Sequence, residues 1–451
     1  MFGKLLIANR GEVAARIARA ARALGVQTVG VASEADRGAS WTRAMDEVVH
    51  LGPAAARQSY LDSEKLVQAA LQTHSSALHP GWGFLAEDPR FAALCRQHGI
   101  TFVGPSPEVI ARMGVKSPAK QAMREAGLDV VPGSDGSLAS LEQAREIARE
   151  GGYPVLLKAD FGGGGRGMRR CTAESELEEA WRSARAEAES AFGSGSLYLE
   201  KYLDGGRHIE VQLIGDNFGN AVHLFERECS IQRKHQKLIE ESPSPALDQA
   251  ARSELGERAA AAARAIGYCG AGTIEFLRDP DSGRIYFMEM NTRLQVEHPV
   301  TEEVTGVDIA AWQLRVAANQ PLTLQQSDIP MTGHAIECRI NAEDPTQDFQ
   351  PSPGRLDAFE FPADLGPGRV RIETHLEAGE SVSPHYDSLI AKIICWGEDR
   401  SAAIETMKRT LTAARCEGVH TTIPLHLAVL DSEEFRSGNY DTRSLPGWPR
   451  S

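Results

Sequence analysis

The chain switches between two hydrophobic periods, and the switches mark its units. "KLLIANRGEVAARIARAARALGVQTVGVAS" opens on an apolar run at Leu5, Leu6 and Ile7. It continues with Val13, Ile17 and Leu24 at helical spacing and returns to an apolar run after Gly25. Strand, helix and strand in that order predict a parallel βαβ unit. "SSALHPGWGFLAED" and "GITFVGPSPEVI" continue the pattern, so residues 1–112 are expected to form an open parallel-sheet α/β domain. The unit lacks G-x-G-x-x-G, which weakens a dinucleotide-binding reading. A helical linker is expected over 113–132, up to the break at Pro132-Gly133. "YPVLLKADFGGGGRGMRRC" then predicts a strand over 154–158, a glycine loop over 162–167 and a second strand, in a small lid domain over 133–203.

Beyond residue 203 the period is mostly two. "IEVQLIGDNFGNAVHLFERE" alternates on both sides of a turn at Asn217 and Gly219, and "GTIEFLRDPDSGRIYFMEMN" on both sides of Asp279–Gly283, so each predicts a hairpin. These hairpins form an expected core over 204–330. Short strands ("GHAIECRIN", "SLIAKIICWG") and a helix ("AAIETMKRTLTAA") predict a mixed α+β domain over 331–447. In "FMEMNTRLQVEHP" one parity is wholly polar from residue 289 to 297: Glu289, Asn291, Arg293, Gln295 and Glu297. On a strand these side chains share a face. They are either the wet side of an edge strand or a row of chemical groups on a rigid element.

Composition narrows the function classes. With 451 residues the chain is too long for one core. Lys and Arg number 48 against 62 Asp and Glu, a net charge of −14, and no basic stripe offers itself to nucleic acid. An anionic ligand would need a local cluster of cations. The seven Cys, from Cys95 to Cys416, show no zinc spacing and fit reduced thiols in a cytosolic protein. No run of about 18 apolar residues predicts a membrane span, and the N-terminal apolar patch is too short for a signal sequence.

Some stretches carry chemistry. Four consecutive Gly pack no side chain, so "GGGGRG" is either a linker or a mobile lid whose amides approach phosphate. Lys158 upstream and Arg166 inside the loop favour the lid. Glu275 and Glu289 fall on paired strands within about one diagonal step, where like charges repel unless a cation sits between them. Two carboxylates with the Asn291 amide suit Mg²⁺ or Mn²⁺. "SIQRKHQK" gathers Arg233, Lys234, His235 and Lys237 on what is otherwise a solvated surface. Arg339 stands in a strand-like apolar setting, as a functional cation or a structural ion pair. His79 and Trp82 belong to a site or to loop packing.

Taken together, "KLLIANRGE", "LHPGWGFLAE", "GYPVLLKA" with "GGGGRGM", "ECSIQRKHQK", "FMEMNTRLQVEHPVTE", "ECRINAEDP" and "PHYDSLIAKII" resemble biotin carboxylase, an ATP-grasp enzyme, in matching order over nearly the whole chain. The resemblance implies an ATP-grasp fold and carboxylation of biotin by bicarbonate and ATP through carboxyphosphate. It implies that Lys116 and Lys158 hold ATP phosphates under Gly164 and Gly165. Glu200, Lys201 and Leu203 would frame the adenine, with His208, Gln232 and His235 facing the nucleotide. Glu275, Glu289 and Asn291 would hold two Mg²⁺ or Mn²⁺ ions. Lys237, Arg293, Gln295 and the Val296 backbone would bind bicarbonate, and Glu297 would deprotonate it. Arg339 would stabilise the biotin enolate, with Trp82 near the biotin. A carboxylate beside Arg293 is expected to be ionised and ready to accept a proton.

Two departures from the family pattern stand out. Asp160 and Phe161 stand where small residues are frequent, and Phe161 is expected to stiffen one end of the lid. Trp82 replaces a frequent Tyr, leaving an indole N–H for biotin. No Met-Lys-Met biotinylation site is present, since Arg409 follows Met407-Lys408. The resemblance therefore implies biotin on a separate carrier protein, a carboxyltransferase partner, a cytoplasmic homodimer, and service in an acyl-CoA carboxylase such as acetyl-CoA carboxylase in fatty acid synthesis. Two alternatives remain: another ATP-grasp ligase that passes an acyl phosphate to an amine, and an idle docking subunit. ATP turnover answering to ammonia or an amino acid would mark the first; empty catalytic positions would mark the second, and here they are filled.

Overall fold

The structure is a computed structural model that describes residues 1–161 and 167–449, the Phe192 side chain apart. The expected lid residues Gly164 and Gly165 lie outside the described residues.

Strand β1 (Lys4–Ile7) leads through Gly11 into helix α1 (Gly11–Ala23). β1 lies at the centre of a five-stranded sheet. It pairs in parallel with β2 (Gln27–Ser33) on one side and β4 (Ala77–His79) on the other, and β3 (Glu47–Gly52) and β5 (Thr101–Phe102) complete it. Leu5, Leu6 and Ile7 are all fully buried, as a parallel strand covered on both faces requires. Gly25, at φ +70°, ends the first helix as expected.

Helix α2 (Lys116–Glu125) connects this domain to a small unit. There β6 (Val155–Ala159) pairs antiparallel with β7 (Arg169–Cys171) and β8 (Leu197–Lys201), under α3 (Leu141–Gly151) and α4 (Glu174–Phe192). Val155, Leu157 and Leu199 face the helices in a core of their own. The opposite parity turns Lys158 and Glu200 away from the helices.

An eight-stranded antiparallel sheet makes up the rest of the frame. It contains β9 (Arg207–Gly215), β10 (Ala221–Arg233), β11 (Gln236–Ser242), β12 (Gly270–Arg278), β13 (Ile285–Asn291), β14 (His334–Asn341), β15 (Arg369–Thr374) and β16 (Leu389–Gly397), in the order β13-β12-β9-β10-β11-β14-β16-β15. Both expected hairpins are present. β14 hydrogen-bonds β11, so the sheet runs unbroken across the boundary expected between 330 and 331. On β9, β12 and β13 the residues Ile209, Val211, Ile274, Phe276, Phe287 and Met290 pack under the helix α5 (Gln249–Ala265). Ile336, Cys338, Ile340 and Ile393 belong to a second core further along the sheet. The other parity carries polar groups from strand to strand, and helix α6 (His298–Thr305) packs against that part of the sheet.

Glu241 on β11 ties the C-terminal segment to the sheet. Its carboxylate accepts from Arg400 at 2.6 and 3.0 Å, from His334 at 2.6 Å, and from the Tyr440 hydroxyl. Burial alone would raise this carboxyl, but His334 and Arg400 hold it at about 2, against an ordinary value of 4.5. Its contribution is complete above about pH 4.5 and is lost as pH falls towards 2. Glu241→Gln is expected to cost on the order of 3 kcal/mol at neutral pH. In denaturant melts the gap to wild type should close as pH falls through that window; a gap independent of pH would refute this.

Candidate active site

The polar parity of the large sheet converges on Lys237. Its ammonium donates to Glu210 at 2.5 Å, Glu297 at 2.7 Å and Glu275 at 2.8 Å, from β11 to β9, the turn before α6, and β12. Arg227, fully buried on β10, donates to Glu210 at 2.5 Å, Gln212 at 2.7 Å, Thr301 at 3.0 Å and Thr273 at 3.1 Å. Buried charges persist only when paired and hydrogen-bonded, and each of these is. Burial works against the Lys237 ammonium, but the three carboxylates raise it well above its ordinary range.

Glu297 is fully buried. One oxygen takes Lys237; the other takes Arg339 at 3.0 Å. Burial would raise its carboxyl, yet Lys237, Arg339 and Arg227 hold it well below the ordinary carboxylate range. It is ionised, as the sequence suggested, but through different cations. Arg293 donates to Glu87 at 2.8 Å, to the Asn291 side-chain oxygen at 3.1 Å and to Gln295 at 3.2 Å. Arg339 also donates to Glu240 at 2.6 Å, and burial, with Glu297 adding to it, brings the Glu240 carboxyl up to about 7 despite that cation.

The parity reading of "FMEMNTRLQVEHP" holds only for Glu289 and Asn291: a bulge between Phe287 and Glu289 breaks it on one side and the end of the strand on the other. β13 is an edge strand and ends at Asn291. Thr292–Glu297 form a loop and turn, so Arg293, Gln295 and Glu297 are placed by irregular backbone and not by strand alternation. Thr292 N–H is pinned to Glu87 at 3.0 Å.

Glu275 and Glu289 are directly opposed across β12 and β13, closer than the diagonal step expected. Glu275 accepts from Lys237, from the Asn291 amide nitrogen at 2.9 Å, and lies 3.2 Å from His208 Nε2. Glu289 faces outward at 41% side-chain exposure, 3.6 Å from Lys116. Enclosure and the Glu275 charge raise its carboxyl above the ordinary value. An acid pair with one under-neutralised member, open to a cleft, fits a hard divalent cation shared with phosphate. The Asn291 oxygen points to Arg293 here, so it would have to turn to join such a cation. His208, Glu210 and Glu275 also lie within ligand distance of one another, but Lys237 and Arg227 already neutralise their carboxylates.

At the small unit, Glu200 bridges Lys120 at 2.7 Å and Lys158 at 2.6 Å. The Lys201 ammonium points away from Glu200. On the opposite parity of β8, it donates to the Gly152 and Tyr153 carbonyls at 2.9 and 3.1 Å, leaving only backbone to an adenine. Leu203 follows in the connecting segment before β9. Gln232, one residue before the end of β10, donates to the Cys229 carbonyl at 3.4 Å, and exposed His235 forms the tip of the β10–β11 hairpin with Lys234. Both tip residues have positive φ, 47° and 67°, as a two-residue hairpin turn of this hand requires. Arg233 and Lys234 pair with Asp348, so of the charge run only Lys237 enters the cluster.

Asp160 is buried at the root of the glycine loop. It accepts the hydroxyls of Ser137 at 2.5 Å and Ser196 at 2.6 Å, and that of Ser117 in the first turn of α2. Phe161 is 39% exposed, and the loop it is expected to stiffen lies outside the described residues. Asp160→Ala is expected to loosen the unit by about 1–3 kcal/mol, seen as faster amide exchange in β6, β8 and the start of α2. Unchanged exchange would show that the serines hold without it.

Trp82 does not offer its indole N–H to a ligand: Nε1 donates to Glu12 at 3.1 Å. Its ring lines a cavity of about 220 Å³ with Asn9, Phe84, His375 and Tyr386. His79 is a packing residue, buried, accepting from Gly81 N–H at 3.0 Å and lowered by burial to about 4.

Sequence reasoning missed Glu12, Glu87, Lys120, Glu210, Arg227, Glu240 and Lys392. Several left one signal, a charge inside an apolar strand: Glu210 in "HIEVQLI" and Lys392 in "SLIAKIICWG".

Comparison with known proteins identifies the family of each part of the chain. Residues 1–110 match the biotin carboxylase N-terminal domain, 116–325 the ATP-binding domain of the carbamoyl-phosphate synthase L chain, and 337–446 the biotin carboxylase C-terminal domain. Biotin carboxylase 1 of Bacillus subtilis is 50% identical over 445 residues, 99% of this chain and 98% of its own. A Campylobacter jejuni biotin carboxylase–β-γ-ATP complex superposes with a TM-score of 0.94 at 48% identity, covering 98% of each chain. The biotin carboxylase domain dimer of Hydrogenobacter thermophilus 2-oxoglutarate carboxylase, with MgADP, ADP and bicarbonate, gives 0.93 at 48% identity, covering 98% of this chain and 97% of that one. The fold is an ATP-grasp fold, and the chain belongs to the biotin carboxylase family of ATP-dependent ligases.

Proposed function

We propose that the chain carboxylates biotin, carried on a separate protein, with bicarbonate and ATP. The observation that carries this reading is Glu297, a fully buried carboxylate held between Lys237 and Arg339 beside the acid pair Glu275 and Glu289. Lys116 and Lys158 hold ATP phosphates under Gly164 and Gly165. Glu200, the Lys201 backbone and Leu203 frame the adenine, and His208, Gln232 and His235 face the nucleotide. Glu275 and Glu289, with a turned Asn291, hold two Mg²⁺ or Mn²⁺ ions. Once bound, these would neutralise the phosphate charge where the γ-phosphoryl leaves.

Bicarbonate lies against Lys237, Arg293, Gln295 and the Val296 amide. A carboxylate clamped by two cations is a weak base. Bicarbonate drawing Lys237 onto its own charge, and biotin drawing Arg339, therefore releases Glu297 to take the bicarbonate proton. The resulting oxygen attacks the γ-phosphorus and ADP departs. Carboxyphosphate divides into CO₂ and phosphate; the phosphate is basic enough to take the ureido proton, and the biotin nitrogen bonds to CO₂. Arg339, which stays charged at any working pH, stabilises the enolate oxygen formed meanwhile.

ATP cleavage is expected to require bicarbonate, to rise with free biotin, and to vanish on chelation of Mg²⁺ and Mn²⁺ and return on their addition. Cleavage indifferent to biotin at high concentration would contradict the reading. On the resemblance we further propose a cytoplasmic homodimer acting with a carrier protein and an acyl-CoA carboxyltransferase, as in acetyl-CoA carboxylase. Co-purification with a 2-oxo acid carboxyltransferase would instead match the Hydrogenobacter relative and overturn the acyl-CoA part.

A further inference from the structure

We propose that Lys392 is a positioning residue for the turn that carries Glu297. The inference rests on Glu297 being the base. Lys392 stands mid-strand in β16, fully buried, where its neighbours Ile390, Ala391, Ile393 and Ile394 are apolar. An apolar residue would fill this place without the desolvation a charge suffers there, so packing does not explain a lysine. Its ammonium donates to the Val296 carbonyl at 2.8 Å and pairs with Glu12 of α1 at 3.2 Å. Lys392 is also the direct cross-strand partner of Arg339.

Besides Lys237 on β11, two further strands hold Glu297 and its turn. Arg339 on β14 grips its carboxylate, and Lys392 on β16 grips the peptide plane that joins Val296 to it. Glu297 caps α6 without a side-chain hydrogen bond; the neighbouring bond runs from His298 Nδ1–H to the Gln295 carbonyl at 2.8 Å. Glu12 neutralises Lys392 from the N-terminal domain and accepts the Trp82 indole N–H with its other oxygen. One ion pair therefore ties the base turn to the loop that holds Trp82.

The test compares Lys392→Met, the charge-balanced Glu12→Gln/Lys392→Met, and Glu12→Gln, which keeps the donor to Val296. For bicarbonate-dependent ATP cleavage, both Lys392 variants are expected to lose about 10-to-100-fold in kcat with a raised KM for bicarbonate. Their KM for ATP and their thermal shift with ATP should stay at wild-type values. Glu12→Gln should lose less than either. Wild-type kcat in the double variant, parallel rises in both KM values, or failure of both Lys392 variants to fold would overturn the proposal. A wild-type protein indifferent to bicarbonate would overturn the parent reading as well, so the two failures are distinguishable.

Discussion

Glu297→Gln is expected to lower the turnover of bicarbonate-dependent ATP cleavage by about 10²–10⁴-fold, the range for loss of a general base. Nucleotide affinity should hardly change. The substitution is nearly isosteric, and the cations it partly frees keep other acids: Lys237 retains Glu210 and Glu275, and Arg339 retains Glu240. The fold is therefore not left with an unpaired buried charge, the usual reason for collapse at such a site. Steady-state kinetics with ATP and bicarbonate varied separately would show a fall in kcat. An ATP affinity that falls as far as kcat would mean that Glu297 serves the nucleotide.

Arg339→Ala is expected to reduce biotin carboxylation by about 10²–10³-fold, the usual cost of removing one donor from a developing oxyanion. Biotin stimulation of ATP cleavage should be lost with it, while ATP binding persists. Arg339 lies on the side of Glu297 away from Lys237, and its other partner is Glu240, so no contact ties it to Glu275 or Glu289. With the guanidinium gone, Glu240 and Glu297 face each other with less cationic cover, and Glu240, already at about 7, should carry its proton at neutral pH. That internal neutralisation lets the variant fold. Carboxybiotin formed at the wild-type rate would remove Arg339 from the mechanism.

How much of this could be read from the chain depended on distance along it. The βαβ start, both hairpins and the small glycine-loop unit follow from local period, and all are present. The continuation of one sheet from β11 into β14 was not legible, because it joins Ile239 to Cys338 across a stretch containing three α-helices and two strands. Glu289 and Asn291 were found by parity because they sit on a strand. Arg293, Gln295 and Glu297 shared that parity by coincidence of the loop and were assigned by resemblance. The partners that set their charge were invisible. Arg227 meets Thr301, and Lys392 meets Glu12, only after folding. A charge within an apolar run says that a partner exists without saying which one. Lys201 shows another limit: one-residue alternation on β8 sends its ammonium to the side of the strand opposite Glu200.

The central claim is that bicarbonate oxygen attacks ATP before biotin is carboxylated. Heavy-oxygen-labelled bicarbonate supplied with ATP, Mg²⁺ and biotin tests it directly, by mass analysis of the phosphate released. The mechanism predicts one labelled oxygen in that phosphate for each carboxybiotin formed; phosphate carrying only water and ATP oxygens would contradict it.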